Sequence, residues 1–479
     1  MTNRLWTFAS LCGFLSIAAI PSIGVAQPCD SAIANYTVRY VGTDLFEVEA
    51  EFARPTNRLD VRFSGATGRP EGQAASVSSL SGWDSDEGEV AIQYVGEGGW
   101  STGDSALSRI RYRLKADHDD VRWTGGGMDE VASHFDDTYF FVGNAFFLID
   151  YDWPACPIQV TFDLPDDWSV MAPWSGDGPD YLASEPMTLG KNAFAMGIFT
   201  TGSANADVMT LEWVIDSRLA SVEQRIADIM TTVPPVFADY FGGTPTDRYS
   251  VVVFQGPHMD GGAFRQSFTL QLSSPIREVD ALLWAHGLAH EMLHLWIGNH
   301  IMGSSPPDTY WFTEGFTDYL AIKLMYRAGL LSEAMLQQRL ANVVRRYRLA
   351  ARLSPGVGLV EAGQAKHENW ELIYGGGAMI AFLLDAENPT GFQRALRELS
   401  TNASELFSQQ RLLQQLDEFT DGAATRIFEA VDDGMDIGAM VGALENAGLE
   451  MTGFAPDEVY IGFPEGCTTA DCVPTFLQR

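Results

Sequence analysis

The sequence predicts an α+β protein of several domains, with a β-rich N-terminal part and a helical C-terminal part. The chain has 479 residues, 46% hydrophobic and 19% charged, which is too long for one hydrophobic core and typical of a soluble globular protein. Short segments of alternating polar and apolar residues fill about residues 33–205. Apolar residues recur instead at helical spacing from about residue 281 to 449, which favours helices there.

The N-terminal residues have the layout of a secretory signal. A mostly apolar run covers residues 5–20, and Pro21 and Gly24–Ala26 then provide the break and the small residues that favour cleavage after Ala26. An uncleaved membrane anchor is the alternative, because the apolar run approaches the length of a bilayer span. We expect residues 1–26 to be a signal peptide. The protein would then be exported, either periplasmic or secreted, and free of the membrane after cleavage.

The first domain is predicted to be a β-sandwich covering residues 27–205. Period-two alternation of apolar and polar residues is typical of half-buried antiparallel strands. Segments with this pattern lie at residues 36–40, 45–50, 109–114 and 158–162.

Beyond about residue 216 the period of the apolar residues changes. They recur at helical spacing as far as the Pro234–Pro235 pair, where we expect the helix to break. Strand-like segments at 249–254 and 267–272 follow, with Gly261–Gly262 between them. The sequence therefore predicts a hairpin just before the helical region that begins at Ala281.

The chain is strongly acidic, with 30 Lys and Arg against 63 Asp and Glu and a formal net charge of -33. Such a charge repels phosphate backbones and anionic membranes, so nucleic acid is excluded as a partner. An acidic surface could attract cationic peptides, but a solvated surface that maintains solubility explains the same charge without any partner.

Four of the five cysteines remain after removal of the signal, which carries Cys12. An even number in an exported chain suggests two disulfides. Cys467 and Cys472 are close enough in sequence to close a small loop, which leaves Cys29 to pair with Cys156. Zinc binding by these thiols is less favoured, because their spacing matches no common zinc motif.

The strongest chemical signal is the segment His290–His294, which has the form H-E-x-x-H within an amphipathic helical stretch from Ala281 to Trp296. Residues four apart lie on one face of a helix, so His290 and His294 can bind one metal ion. Glu291 is rotated toward the adjacent cleft, where it can act as general base in metal-assisted hydrolysis.

A second helical segment, Trp311–Leu320, provides further ligand candidates. Glu314 can be the third protein ligand of a catalytic zinc ion, leaving the fourth position for water. Asp318 shares its helix face and can orient a ligand imidazole from behind. By itself this pair is a common helix-surface pattern, and its position after the H-E-x-x-H segment favours the ligand interpretation.

These residues make the sequence resemble the gluzincin metallopeptidases, and most closely the glycyl-aminopeptidase family, which often carries a PDZ domain. The resemblance covers most of the mature chain. The segments that carry it are residues 162–168, 240–249, 311–319, 374–378 and 428–449.

The resemblance implies one zinc ion per chain and a fold of three domains. These would be the β-rich domain at 27–205, a thermolysin-like catalytic domain at 206–350 and a helical domain at 351–455. Residues 456–479 would form a disulfide-looped tail. Only about thirty residues follow Leu449, which is too few for a PDZ domain.

Tyr374 lies where the family has a tyrosine shortly before a glycine and a helix. The resemblance implies that its hydroxyl donates to the oxyanion that forms on the scissile carbonyl. The alternative is an ordinary core tyrosine. His286 shares a helix face with His290 and His294, and we interpret it as a residue that lines the pocket or packs beside it.

The sequence departs from the family at the segment Gly261, Gly262, Ala263 and Phe264, which the resemblance assigns to substrate binding. Relatives carry a glutamate where this chain has Phe264, and that glutamate is expected to bind the free amine of the substrate. An aromatic ring pairs with an ammonium only through a weaker cation–π contact. The two glycines still suit a strand edge that a peptide backbone approaches closely.

The sequence thus predicts an exported zinc metallopeptidase that acts on peptides or proteins and is related to aminopeptidases. One alternative is an endopeptidase or an ester hydrolase that uses the same zinc site. A second is a non-catalytic, metal-containing protein that binds peptides. The oligomeric state stays open.

Overall fold

A computed structural model gives the arrangement of most of the chain. It describes residues 29, 31–61, 71–116, 133–205, 209–256, 259–273, 281–403, 405–453, 455, 458–464 and 472–479. Within these ranges the N-terminal region is rich in sheet and the C-terminal region is helical. The predicted α+β organisation is confirmed at this level. The predicted signal peptide lies outside the described residues.

The N-terminal region is built from fifteen strands and one short helix among the described residues. They are β1 (Ala34–Gly42), β2 (Leu45–Thr56), β3 (Arg58–Asp60), β4 (Val77–Trp83), β5 (Glu89–Val90), β6 (Gln93–Gly96), β7 (Gly99–Ser101), β8 (Leu107–Lys115), β9 (Ser133–Phe135), β10 (Thr138–Val142), β11 (Ile158–Asp163), β12 (Ser169–Met171), β13 (Ser175–Asp177), β14 (Asp180–Ala183), α1 (Pro186–Gly190) and β15 (Ala193–Gly197).

Two sheets of this region face each other across an aromatic core. An eight-stranded sheet has the order β13-β14-β11-β1-β2-β8-β4-β5, and a four-stranded sheet has the order β12-β15-β10-β9. Phe46 on β2 meets Phe141 on β10 edge to face, with ring centroids 5.6 Å apart. Alternation explains the arrangement, since Phe46, Val48 and Ala50 are buried while the residues between them are more exposed.

A disulfide joins Cys29, ahead of β1, to Cys156, ahead of β11. The predicted pairing of these two residues is confirmed. Cys472 is also disulfide-bonded, whereas its predicted partner Cys467 lies outside the described residues.

A mixed five-stranded sheet follows in the chain, and the helix α3, which contributes to the candidate site, comes directly after it. Its order is β16-β17-β18-β20-β19. The elements are β16 (Gly202–Asn205), β17 (Thr210–Ile215), α2 (Glu223–Phe241), β18 (Arg248–Gly256), β19 (Asp260–Ala263), β20 (Ser267–Ser273) and α3 (Ala281–Leu293).

The predicted hairpin between the segments at 249–254 and 267–272 is wrong. These segments lie in β18 and β20, which pair in parallel, with Ser250 opposite Ser267. Gly261 and Gly262 are not in the turn of a hairpin but within a strand of their own, β19, which pairs antiparallel with β20. The chain therefore crosses to the edge of the sheet before it returns to β20, and β19 is the edge strand.

The remaining elements form a helical region. They are α4 (Pro306–Arg327), α5 (Glu333–Leu353), α6 (Leu359–Gln364), α7 (Trp370–Glu387), α8 (Pro389–Thr401), α9 (Gln409–Thr420), α10 (Ala423–Asp432), α11 (Ile437–Asn446), β21 (Glu450–Thr452), β22 (Tyr460–Gly462) and α12 (Thr475–Gln478). Among the described residues, no helix combines the length and the hydrophobicity that a membrane span requires.

Two large hydrophobic clusters divide the molecule near residue 200. One uses buried residues from Ile33 to Met196, and the other runs from Met209 to Leu477. The second cluster continues across residue 350, and α5 spans that position. The division between a catalytic and a helical domain at 350 therefore stays a prediction.

Helices α4 and α7 approach each other through their backbones. A Cβ at Gly377 would lie 1.8 Å from the carbonyl oxygen of Trp311 and 2.9 Å from the Cα of Gly315. Glycine is therefore required at this crossing, because any side chain would push the helices apart. Below it, Lys323 on α4 donates to both carboxylate oxygens of Asp385 on α7, at 2.7 and 2.8 Å.

We expect Gly377→Ala to lower the free energy of unfolding by about 2–3 kcal/mol, because the methyl group overpacks a backbone contact that cannot yield. Urea denaturation followed by circular dichroism measures this change. Gly442→Ala in α11 is the matched control, because a Cβ there meets nothing within 4 Å and alanine favours the helix. Equal stability of the two variants would contradict the close contact.

Candidate metal centre and active site

Three buried side chains converge at the end of α3 and the middle of α4. His290 lies in the last turn of α3, His294 directly follows the end of that helix, and Glu314 comes from α4. Their ligand atoms all lie within 4.8 Å of one another. The two Nε2 atoms are 3.1 Å apart. The Oε2 atom of Glu314 lies 3.6 Å from Nε2 of His290 and 3.4 Å from Nε2 of His294.

These separations fit a tetrahedral zinc ion. With Zn–N and Zn–O bonds of about 2.0–2.2 Å, the ligand atoms of a tetrahedral site lie roughly 3.3–3.6 Å apart. Two imidazoles and one carboxylate form a ligand set that zinc enzymes use, and this set leaves a fourth position open. The residues present therefore fit the metal that the sequence predicts.

A different kind of group lies behind each histidine. His294 donates from Nδ1 to the carbonyl oxygen of Ile297 at 2.9 Å, which leaves its Nε2 as the lone-pair nitrogen that a metal needs. Asp318 Oδ1 lies 3.7 Å from Nδ1 of His290, which is longer than a hydrogen bond.

Asp318 has a shorter contact with His286, whose Nε2 donates to its Oδ1 at 2.8 Å. Arg346 also donates to Asp318, at 3.0 Å to Oδ2. Burial alone would raise the pKa of Asp318, but these two neighbours hold it below its usual range. Burial lowers the pKa of His286 to about 4, with a smaller contribution from Arg339, so this imidazole is neutral near pH 7. Asp318 thus lies behind His290 but is anchored by His286 and Arg346.

Glu291 lies on the open side of the ligand set. Burial raises its pKa above the ordinary value, although the nearby His294 and His290 act in the opposite direction. A raised pKa suits a carboxylate that takes up a proton and returns it. The carboxylate also abuts the edge strand, since a Cβ at Gly261 would lie 2.7 Å from Glu291 Oε1.

Tyr374, near the start of α7, is stacked between two rings. Its ring lies 5.7 Å from that of His290 and 4.6 Å from that of Trp370, both nearly parallel to it. Burial, reinforced by the Glu314 carboxylate, raises the pKa of Tyr374 well above its ordinary value. The hydroxyl therefore keeps its proton and acts as a hydrogen-bond donor, here toward the Glu314 carboxylate.

Two cavities open on this group of side chains, one of ≈190 Å³ and one of ≈260 Å³. Both are lined by Gly261, Glu291, Trp370 and Tyr374. The smaller cavity adds residues from the middle and the end of α3, including His290, and Arg346 from α5. The larger cavity adds the ligand candidates His294 and Glu314. The candidate base and the candidate oxyanion donor therefore both lie where the two cavities meet.

The predicted substrate-binding segment divides into two parts. Gly261, Gly262 and Ala263 line the larger cavity along the edge strand β19. Phe264 does not line either cavity, and instead its side chain is buried against Val142 and Ala193. The ring is therefore not placed for the cation–π contact that the sequence left open.

Sequence reasoning missed two cations at the site. Lys366, in the segment between α6 and α7, donates to Glu314 Oε1 at 2.7 Å. Arg346, on α5, lies over the ring of Tyr374 at 5.4 Å, in addition to its contact with Asp318. Neither residue belongs to a recognisable motif, and only their position in the tertiary structure brings them to the metal ligands.

Comparison with known proteins places the two parts of the chain in one peptidase family. Residues 35–186 match the family model for the peptidase M61 N-terminal domain, and residues 284–375 match the model for M61 glycyl aminopeptidase. The chain belongs to the M61 glycyl aminopeptidase family. It is therefore a peptidase, and the predicted resemblance is confirmed. Zinc is the metal that this family suggests.

The fold is shared with solved aminopeptidase structures of low sequence identity. An aminopeptidase N family protein from Idiomarina loihiensis has 16% identity and a TM-score of 0.72, over 88% of this chain and 79% of that chain. An M1 zinc metallopeptidase from Deinococcus radiodurans, solved as a mutant bound to a Tyr-Ser-Ala substrate, has 16% identity and a TM-score of 0.56, over 84% and 93% of the two chains. A comparison with curated proteins gives no match.

We expect the purified protein to hold about one zinc ion per chain and Glu314→Ala to hold much less than half, because a third protein ligand is needed to retain the metal. Metal analysis after dialysis against a weak chelator measures the stoichiometry. Glu291→Gln is the control and should keep its zinc, since Glu291 is not among the ligands. Full zinc retention by Glu314→Ala would contradict the ligand set.

Proposed function

We propose that this protein is an exported zinc metallopeptidase in which His290, His294 and Glu314 hold the metal and Glu291 is the general base. One observation carries the proposal. The three ligand atoms have tetrahedral spacing, and the Glu291 carboxylate lies beside them at the meeting point of two cavities. A carboxylate in this position serves hydrolysis and has no evident purpose in a metal site that only stabilises the fold.

Zinc, when bound, would supply a Lewis acid that polarises the peptide carbonyl and activates water. Glu291 takes the proton from the attacking water and passes it to the amine that leaves. Its raised pKa favours both steps, because a carboxylate of very low pKa would hold the proton too weakly.

Tyr374 acts on the other side of the carbonyl. Its hydroxyl, which burial keeps protonated, donates to the carbonyl oxygen as negative charge develops there. In a site shielded from water such a donor contributes several kcal/mol to the stability of the transition state. Stacking on His290 and Trp370 fixes the ring, so the donor is in place before the charge appears.

The edge strand β19 offers the backbone of the substrate a partner. An extended peptide can pair with an exposed strand edge, and Gly261 and Gly262 let it approach closely. Peptides or proteins are therefore the substrates that we propose, with cleavage between the two cavities.

Export is supported by two features of the sequence and the fold. The N-terminal residues have the layout of a signal, and the disulfide between Cys29 and Cys156 is of a kind that persists mainly outside the reducing cytoplasm.

Whether the enzyme trims N-termini or cuts internally depends on how the free amine is bound. The family suggests an aminopeptidase. Endopeptidase action is the second candidate, and two observations favour it. Phe264 is packed away from the cleft, while the larger cavity beside β19 contains the cation Lys366, which disfavours an ammonium there.

We expect Glu291→Gln to lose nearly all turnover while it keeps zinc, because the amide cannot take up a proton. Cleavage of a mixed peptide pool by the wild-type protein and by the variant, mapped by mass spectrometry against the pool without enzyme, measures this loss. Retained cleavage by Glu291→Gln would rule out the assigned base.

The same pool separates the two candidates when each peptide is present with a free and with an acetylated N-terminus. Removal of single residues from free N-termini alone would establish an aminopeptidase. Internal cuts that ignore acetylation would establish an endopeptidase.

We expect Gly261→Ala to lower kcat about 100-fold without loss of stability, because the new methyl group displaces the flexible Glu291 carboxylate from its position and misplacement of a catalytic group by about 1 Å has an effect of this size. Steady-state kinetics on a peptide from the pool measures it. Gly462→Ala, where a Cβ meets nothing within 4 Å, is the control. An unchanged kcat in Gly261→Ala would show that the working base lies elsewhere.

A further inference from the structure

Lys366 and the predicted metal position lie on opposite oxygens of one carboxylate. Glu314 is buried, with 7% of its surface exposed. Its Oε2 faces the two histidine nitrogens at 3.4 and 3.6 Å, while its Oε1 accepts a hydrogen bond from Lys366 Nζ at 2.7 Å. The metal would therefore share its anionic ligand with a fixed ammonium group.

The ammonium group is held in place by more than this one bond. Nζ lies 4.4 Å from the ring centroid of Tyr310 and 5.0 Å from that of Trp370. The faces of aromatic rings attract cations, so the two rings restrict Lys366 to the side of Glu314 that faces away from the histidines. Its side chain is only 22% exposed, and solvent therefore screens its charge incompletely.

We propose that Lys366 is a positioning residue of the zinc site, which keeps Oε1 of Glu314 away from the metal and withdraws negative charge from this ligand. The inference rests on the proposed function, since it concerns the ligand set of the same zinc ion.

The sign of the effect follows from elementary electrostatics. Two cations that bind the same carboxylate weaken each other's attraction to it, because each neutralises part of its charge and the two repel. Lys366 thus lowers the affinity for zinc. The same loss of ligand charge leaves the metal a stronger Lewis acid, which favours turnover. Lys366 therefore lowers metal affinity and raises reactivity at the same time.

This proposal has a signature that a merely structural role lacks. Damage to the site, or loss of an orienting contact alone, would lower both zinc affinity and kcat. Loss of the charge of Lys366 raises zinc affinity and lowers kcat at the same time. Removal of a partner of a metal ligand typically costs about 10–100-fold in metal affinity or activity. We expect changes at the lower end of this range for Lys366, with the change in zinc affinity of opposite sign.

The experiment compares Lys366→Met, Lys366→Gln and Lys366→Arg in the full chain. Zinc affinity is measured by competition with a chromophoric chelator, and kcat and KM are measured on a peptide that the wild-type protein cleaves. We expect about tenfold tighter zinc binding and about tenfold lower kcat in Lys366→Met, with KM little changed. Gln keeps a donor without the charge and should resemble Met. Arg keeps the charge and should restore both values.

Two controls test whether the changes come from damage to the fold or from the loss of any surface cation. Thermal unfolding of the metal-free variants detects damage to the fold. Arg426→Met removes a cation from an exposed ion pair with Glu387, outside both cavities, and should change neither zinc affinity nor kcat.

Two other outcomes are distinguishable, one contrary to the role of Lys366 and one contrary to the proposed function. Zinc affinity in Lys366→Met that equals or falls below the wild-type value would overturn the inference while leaving the proposed function intact. Failure of the wild-type protein to bind zinc or to cleave any peptide would overturn the proposed function, and the inference with it.

Discussion

The backbone contact between α4 and α7 is the constraint on which the candidate site depends. Gly377 and Gly315 let the two helices approach without any side chain between them. Glu314 precedes one of these glycines and Tyr374 lies one turn before the other, so the contact brings the third ligand candidate and the candidate oxyanion donor to the same wall of the cleft. The buried pair of Lys323 and Asp385 then joins the same two helices further along. Separation of the two helices would leave both charges without a partner, and the cost of unpaired buried charges opposes such a movement.

The parts of the site that the sequence predicted are those encoded by short-range geometry. His290 and His294 lie one helical turn apart, so their convergence needs only a helix. Glu314 and Asp318 follow the same rule on α4. The structure brings all four together, although Asp318 makes its short hydrogen bond with His286 rather than with a candidate ligand. The sequence placed His286 in or beside the pocket, but its partner could not be predicted, because that contact depends on how α3 and α4 pack.

The features that the sequence did not predict depend on tertiary structure. Lys366 reaches Glu314 from a segment between two helices, and no motif marks it. The glycine pair at 261 and 262 lies in an edge strand, as the resemblance implied, but the predicted hairpin joined the wrong strands, since alternation shows that a strand exists but not which neighbour it pairs with. Pro234 and Pro235 were expected to end a helix, but α2 continues through them to Phe241. Tertiary packing of its buried face outweighs the local preference there.

Trp370 lies between the two cavities of the cleft, and this position limits which substitutions the site can accept. It is 41% exposed, lines both cavities, stacks on Tyr374 and borders Lys366. A substitution that reshapes one cavity at this position reshapes the other, and also disturbs the ring that fixes the hydroxyl of Tyr374. If the scissile bond lies between the two cavities, as proposed, preferences for residues on its two sides are therefore not independent of each other. Adaptation to a new substrate would proceed more readily at positions that line a single cavity, such as Met259 or Asn299, than at the tryptophan that both cavities share.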